Sequence, residues 1–202
     1  MIKKLIVLIC IAFNGLAQIP AKLSKYEKHW ALLHPIAAIK ANHLGKCVAA
    51  IYKETLAEGL DSYPSGGRLD AYRHVFFMAA FAQKISIGKL RKLGRAHEKA
   101  NYRQFLKSLN EEGEVPDSLS SVMDLQNNEL GFKLGKENKH LTLLALKELC
   151  VDQIKKGAAM ILKRNKGGNY VDCGNRVIVI STLNRPWNIP KCLVASNYVY
   201  KD

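Results

Sequence analysis

The sequence predicts a mainly α protein: a multi-helix orthogonal bundle with a small C-terminal β appendage. Apolar residues recur at helical spacing from residue 27 to residue 164. Gly-, Pro- and Ser-containing breaks at 61–67 and 86–88 and an acidic loop at 110–114 divide that stretch into helix-length pieces. Only after the Lys166-Gly167-Gly168-Asn169 turn does the pattern change, to the β-branched run Arg176-Val177-Ile178-Val179-Ile180-Ser181-Thr182.

Each element has its own signal. Residues 27–44 and 46–58 read as amphipathic helices, with Pro35 starting a second helix or kinking the first. A strongly apolar helix follows from Arg68 to Ile85, with Phe76, Phe77, Met78 and Phe81 along it. Residues 89–109 form a basic helix, 110–114 an acidic loop, and Pro116-Asp117-Ser118 opens a helix reaching about Leu134. Residues 140–164 read as a last helix broken at Gly157, and two or three short strands fit 168–200, with Tyr198-Val199-Tyr200 as a terminal strand.

Ahead of these elements, Met1-Ile2-Lys3-Lys4, the apolar run Leu5 to Phe13 and the small residues Gly15 and Ala17 form the three-part pattern of a secretory signal peptide. The expected division is therefore a signal peptide over 1–17, a helical domain over 18–165 with its motifs in 66–135, and a disulfide-linked β appendage over 166–202. The apolar run is shorter than the ~20 residues a membrane span needs, and no later run reaches that length. An exported protein, periplasmic or secreted, is the expectation. Loss of residues 1–17 removes Cys10 and leaves Cys47, Cys150, Cys173 and Cys192, whose pairing the sequence leaves open. Cys173 and Cys192 flank the last apolar run, which favours that pair. A metal role for these cysteines is disfavoured, because none sits in a Cys-x-x-Cys pair.

With 202 residues and 48% hydrophobic content, the chain is neither disordered nor a small disulfide knot. It carries 31 Lys+Arg against 17 Asp+Glu, a formal charge of +14, which would draw an anionic substrate or surface. Arg91, Lys92 and Arg95 are the candidate anion-binding residues on the basic helix. Aromatics do not alternate with these charges as they do in a single-strand binder, which disfavours nucleic acid. Oligomeric state is not encoded legibly.

Polar residues sit inside helices that otherwise read as buried. Asp70 and His74, four apart, share a helix face bordered by Arg73. Ala96-His97-Glu98 lies in the basic helix. Asp124, Asn127, Asn128 and Gly131 form one stripe, and Gly131 leaves room for another backbone or a ligand to come close. Asn and Gly are poor helix formers, and such local violations gather at functional positions.

Asp70-Ala71-x-Arg73-His74, Ala96-His97-Glu98 and Met123-Asp124-x-x-Asn127-Asn128-x-x-Gly131, in this order, resemble a helical domain of unknown function found in exported bacterial proteins and at the C-termini of toxin-like proteins. The resemblance covers residues 66–135. Family members commonly carry Trp soon after the Arg-His pair, where this chain has Phe76 and Phe77. It implies an all-helical fold and a shared polar site at these positions, without naming a reaction.

The residue types allow a metal-assisted hydrolase of an envelope or phosphate-containing substrate. His74, His97 and Asp124 would hold a divalent metal such as zinc and leave one position for water. Glu98, turned about 100° from His97, would be a further ligand or a general base. Arg73 would clamp a phosphate or carboxylate. In a metal-free version, His97 or His74 works as acid/base oriented by Glu98 or Asp70, with Asn127 and Asn128 stabilising negative charge. The alternative is a non-enzymatic basic binding protein in which these clusters are a hydrogen-bond network pairing Asp70 with Arg73 and Glu98 with His74.

Overall fold

The computed structural model describes residues 23–55, 59–107, 116–179 and 187–200. The expected signal peptide, the acidic loop 110–114 and the end of the β-branched run lie outside them.

Ser24 opens α1 (Lys25–Leu33) with a capping box: its side chain accepts from the Glu27 N–H, and the Glu27 carboxylate accepts from the Ser24 N–H. The helix stops at His34 because Pro35 follows, and Pro35 is the first residue of α2 (Pro35–Thr55), where its missing N–H costs nothing. The expected division at residue 45 is absent. Gly45 lies inside α2, facing the Phe81 ring, and the only break comes at His34.

α3 (Arg68–Ala82) is the central helix, with Ala71, Tyr72, Val75, Phe76 and Ala79 wholly buried. α4 (Ile87–Leu106) is the basic helix. α5 (Ser118–Glu137) is capped by Asp117, whose carboxylate accepts from the Leu119 and Ser120 N–H groups. α6 (Leu143–Lys155) is capped by Thr142. α3 and α5 lie backbone to backbone. A Cβ on Gly131 would stand 2.5 Å from the Val75 carbonyl oxygen, and one on Gly135 would collide with the Ala79 carbonyl.

The last helix ends earlier than the apolar periodicity predicts. Gly157 adopts φ 87°, and residues 160–162 then form β1 (Met160–Leu162), antiparallel to β2 (Leu193–Ala195) with Ile161 opposite Val194. Backbone groups of β1 find partners outside the sheet as well. The Asn127 side chain accepts from the Met160 N–H (2.8 Å) and donates to the Met160 carbonyl (3.0 Å), and the Leu162 N–H donates to the Gly66 carbonyl. Of the β-branched run 176–182, the described part contributes one bridge, Val177 opposite Val171, and the 198–200 end is not a strand. Cys173 and Cys192 form the disulfide, while Cys47 and Cys150 are free thiols.

The architecture is thus a helical bundle with a small two-stranded sheet near the C-terminus. Lys191 and Asp117, both almost fully buried, join the β region to the start of α5 through a 2.6 Å ion pair. Among the described residues no helix is long and apolar enough to cross a membrane.

Candidate functional site

Helical spacing brings Asp70, Arg73 and His74 to one flank of α3, and the close α3–α5 approach sets Asp124 and Asn128 opposite them. His74 Nε2 lies 3.2 Å from Asp124 Oδ1 and 3.5 Å from Asp70 Oδ1. On the other edge of the ring, Nδ1 lies 3.2 Å from the side-chain oxygen of Asn128. With the amide assigned in that orientation, Nδ1 is the donor and the Nε2 lone pair faces both carboxylates. A hydrogen bond from the second ring nitrogen to an oxygen is how metal-bound histidines are commonly oriented. Asp70, His74 and Asp124 each offer an atom within 4.8 Å of the others, and all are buried.

Arg73 borders this group. Its Nη2 donates to Asp70 Oδ1 at 2.7 Å and lies 3.5 Å from His74 Nε2. Asp70 Oδ2 accepts from the Gly66 N–H at 2.7 Å, which ties the group to the loop held by β1. Burial works against the Asp70 charge, but Arg73, His74 and the Gly66 N–H outweigh it and hold the carboxyl below the usual range. Burial and the Arg73 charge push His74 down to about 4, so its ring is neutral at pH 7.

Part of the cluster forms the polar end of a cavity of about 190 Å³, which neither Asp70 nor Asp124 lines. Arg73, His74 and Asn128 line that end, while Trp30, Phe77 and Phe81 are among the apolar walls supplied by α1 and α3. His97 lines the same cavity from α4. It is not in the Asp70–His74–Asp124 group: its Nδ1 lies 3.0 Å from Glu27 Oε1. Burial raises Glu27, yet the His97 and Ser24 contacts prevail and hold its carboxyl below the usual range. Gly94 and Asn128 separate this cavity from a second one, of about 260 Å³, between α4 and α5.

The structure therefore brings together five of the expected residues, Asp70, Arg73, His74, Asp124 and Asn128, and sets His97 on the wall of their cavity. Asp70 stands in the ligand group where the sequence suggested His97. The other candidates lie elsewhere. Glu98 is buried beside Asn101, whose Nδ2 donates to it at 3.2 Å, and does not line the cavity. The pairing of Glu98 with His74 is replaced by Asp124 and Asn128. Asn127 spends both ends of its amide on Met160 and is a clasp between α5 and β1. Gly131 admits the α3 backbone. Of the candidate anion-binding residues, Arg91 is held by Glu129 in a two-pronged pair (2.6 and 2.7 Å), while Lys92 and Arg95 are exposed.

Glu27 is the site residue that sequence reasoning misses. Its only local signal, Ser24-x-x-Glu27, reads as a helix start, and one carboxylate serves both purposes through its two oxygens.

No curated protein and no solved structure matches the chain. A family model does, over residues 28–158. That span reaches well beyond the three motifs, taking in α2, α6 and most of α1, and so contains every residue of the cluster, Glu27 lying just outside it. On that match the chain belongs to the family described as Domain of unknown function (DUF6973).

Proposed function

We propose that the protein is a metal-assisted hydrolase whose centre is Asp70, His74 and Asp124. One observation supports this above the others: two buried carboxylate oxygens and a ring-nitrogen lone pair converge on one point, with the ring fixed from behind by Asn128. Arg73 offsets part of the negative charge of this group, and a divalent cation would offset the rest. The donor set, two oxygens and one imidazole nitrogen, suits a divalent ion such as zinc or manganese.

When bound, the ion supplies Lewis acidity and lowers the pKa of water. The chain's own residues account for the rest. Arg73 reaches both Asp70 and the cavity, and its guanidinium is placed to hold an anionic oxygen of the substrate. His97, steadied at Nδ1 by Glu27, takes the proton of the attacking water through its other nitrogen. The water oxygen bonds to the carbonyl carbon or phosphorus, the bond to the leaving oxygen breaks, and that oxygen receives the proton from His97.

The disulfide fits an oxidising compartment. We extend the reading to an exported bacterial protein processed after residue 17, with the helical domain over 18–165 and the appendage over 166–202, and to the toxin-like context of the motif resemblance. The non-enzymatic basic binding protein is the less favoured reading, because Arg91 is already committed to Glu129.

The test is turnover of a soluble nitrophenyl ester and a nitrophenyl phosphodiester by the full chain loaded with zinc, manganese or calcium. Activity removed by a chelator, and reduced about 100-fold in kcat by His97→Ala with little change in KM, is the expected result. Metal-loaded protein that turns over neither substrate overturns the hydrolase reading.

A further inference from the structure

We infer that the cavity beside the cluster is a site for the hydrocarbon chain of an anionic amphiphile, taken from an anionic lipid surface that the α1–α2 elbow touches. This deepens the hydrolase reading and rests on it for the fate of the head group, whereas chain binding stands apart from it.

The cavity has two unlike ends. Trp30, Ala38, Phe77, Phe81 and Leu93 give it apolar walls, and Arg73 and His74 gather at one end. Its volume, about 190 Å³, slightly exceeds that of an engineered apolar cavity of ~150 Å³ that stays dry and binds benzene. Such walls accept an aliphatic segment. A sugar or a peptide would leave polar atoms unpaired there. The polar end supplies the Arg73 guanidinium, which matches an anionic head such as a phosphate monoester.

Two of the helices that wall the cavity, α1 and α2, also turn a hydrophobic elbow to solvent. Leu33 is 62% and Ile36 70% exposed, with Leu32 and Ile39 beside them in sequence and likewise exposed. Four large apolar side chains in one short stretch make a patch that calls for a partner. The charge around it selects the partner. Segments 28–53 and 71–97 contain no Asp or Glu; the first carries four Lys, and the second three Lys and three Arg. Lys40 reaches the Lys84 carbonyl, and the Lys89 carbonyl accepts from the Trp30 indole, so exposed lysines of α2 and of the start of α4 stand near the elbow. An apolar patch with cations near it is the surface that anionic lipid attracts.

The experiment uses the full chain carrying Trp187→Phe, so that Trp30 on the cavity wall is the remaining indole. The probe is 11-bromoundecyl phosphate, whose bromine quenches a nearby indole, with 11-bromoundecanol, which carries the same bromine on an uncharged head, as the control. Saturable quenching by the bromoalkyl phosphate alone is expected, weakened about tenfold by Gly45→Leu, which fills the cavity from α2, where a Cβ meets only the Phe81 ring at 3.8 Å. Co-sedimentation with phosphatidylglycerol vesicles should fall about tenfold in Leu33→Asp/Ile36→Asp, and be absent with phosphatidylcholine vesicles. Circular dichroism confirms that both variants fold.

No quenching, or quenching indifferent to Gly45→Leu, overturns the inference. So does a dimer in sedimentation that Leu33→Asp/Ile36→Asp dissociates, since a second copy would then cover the elbow. Hydrolysis of soluble substrates without chain binding removes this inference and leaves the hydrolase reading. Chain binding without hydrolysis does the reverse.

Discussion

The two sides of α3 are built on opposite principles. Toward α5 the helix packs through Val75 and Ala79 against Gly131 and Gly135, with no room for even one added carbon. Toward α1, α2 and α4 it presents Phe77 and Phe81, whose rings line a cavity. Asp70, His74, Asp124 and Asn128 sit on the line between these sides. The close side brings the polar groups of two helices within 3.5 Å, and the open side exposes His74 and Asn128 to the cavity. Rigidity and access thus come from different faces of one helix.

The largest expected effect breaks the close side. Gly135→Ala drives a Cβ into the Ala79 carbonyl and should cost about 3 kcal/mol, read as a lower urea midpoint with unchanged m-value. Gly45→Ala sharpens the comparison. On the open side the added methyl meets only the Phe81 ring, so it should be neutral or stabilise by about 0.5 kcal/mol through helix propensity. Equal losses in the two variants would remove the distinction between the faces.

Asn127→Ala comes next, at about 2 kcal/mol, because it strands the N–H and carbonyl of Met160 together. The smallest effect is a pH dependence on the open side. Glu27 has a folded-state pKa below its unfolded value, so its contribution is present above the unfolded pKa and is lost as pH falls through the folded one. Stability measured from pH 6 down to pH 2 should therefore fall less steeply in Glu27→Gln than in the wild type.

Most of the helical pattern was legible because the core-facing periodicity is strong and the breaks are marked by Gly, Pro and Ser. The cluster was legible for a similar reason: i, i+4 spacing puts Asp70 with His74 and Asp124 with Asn128 wherever the helices end up. What stayed hidden depends on partners far along the chain. Asn127 and Asn128 are neighbours on one stripe, and only the arrival of β1 directs the first away from the site. Met160-Ile161-Leu162 reads as the end of an apolar helix until Gly157 turns the chain and Asn127 takes its backbone groups. Glu27 was masked because a capping box explains a Glu at that position fully. Gly45 misled as a helix break, since a glycine inside a helix costs only about 1 kcal/mol and packing offsets it.

The central claim is that Asp70, His74 and Asp124 hold one divalent cation. Its most direct test is calorimetric titration of the metal-free full chain with zinc, and separately with manganese and calcium, wild type beside Asp124→Asn. Near-stoichiometric binding of at least one of these ions by the wild type is expected, with a higher melting temperature when loaded and loss of both in a variant that remains folded. A wild type that binds none of the three, or an Asp124→Asn variant that binds as tightly, would contradict that claim.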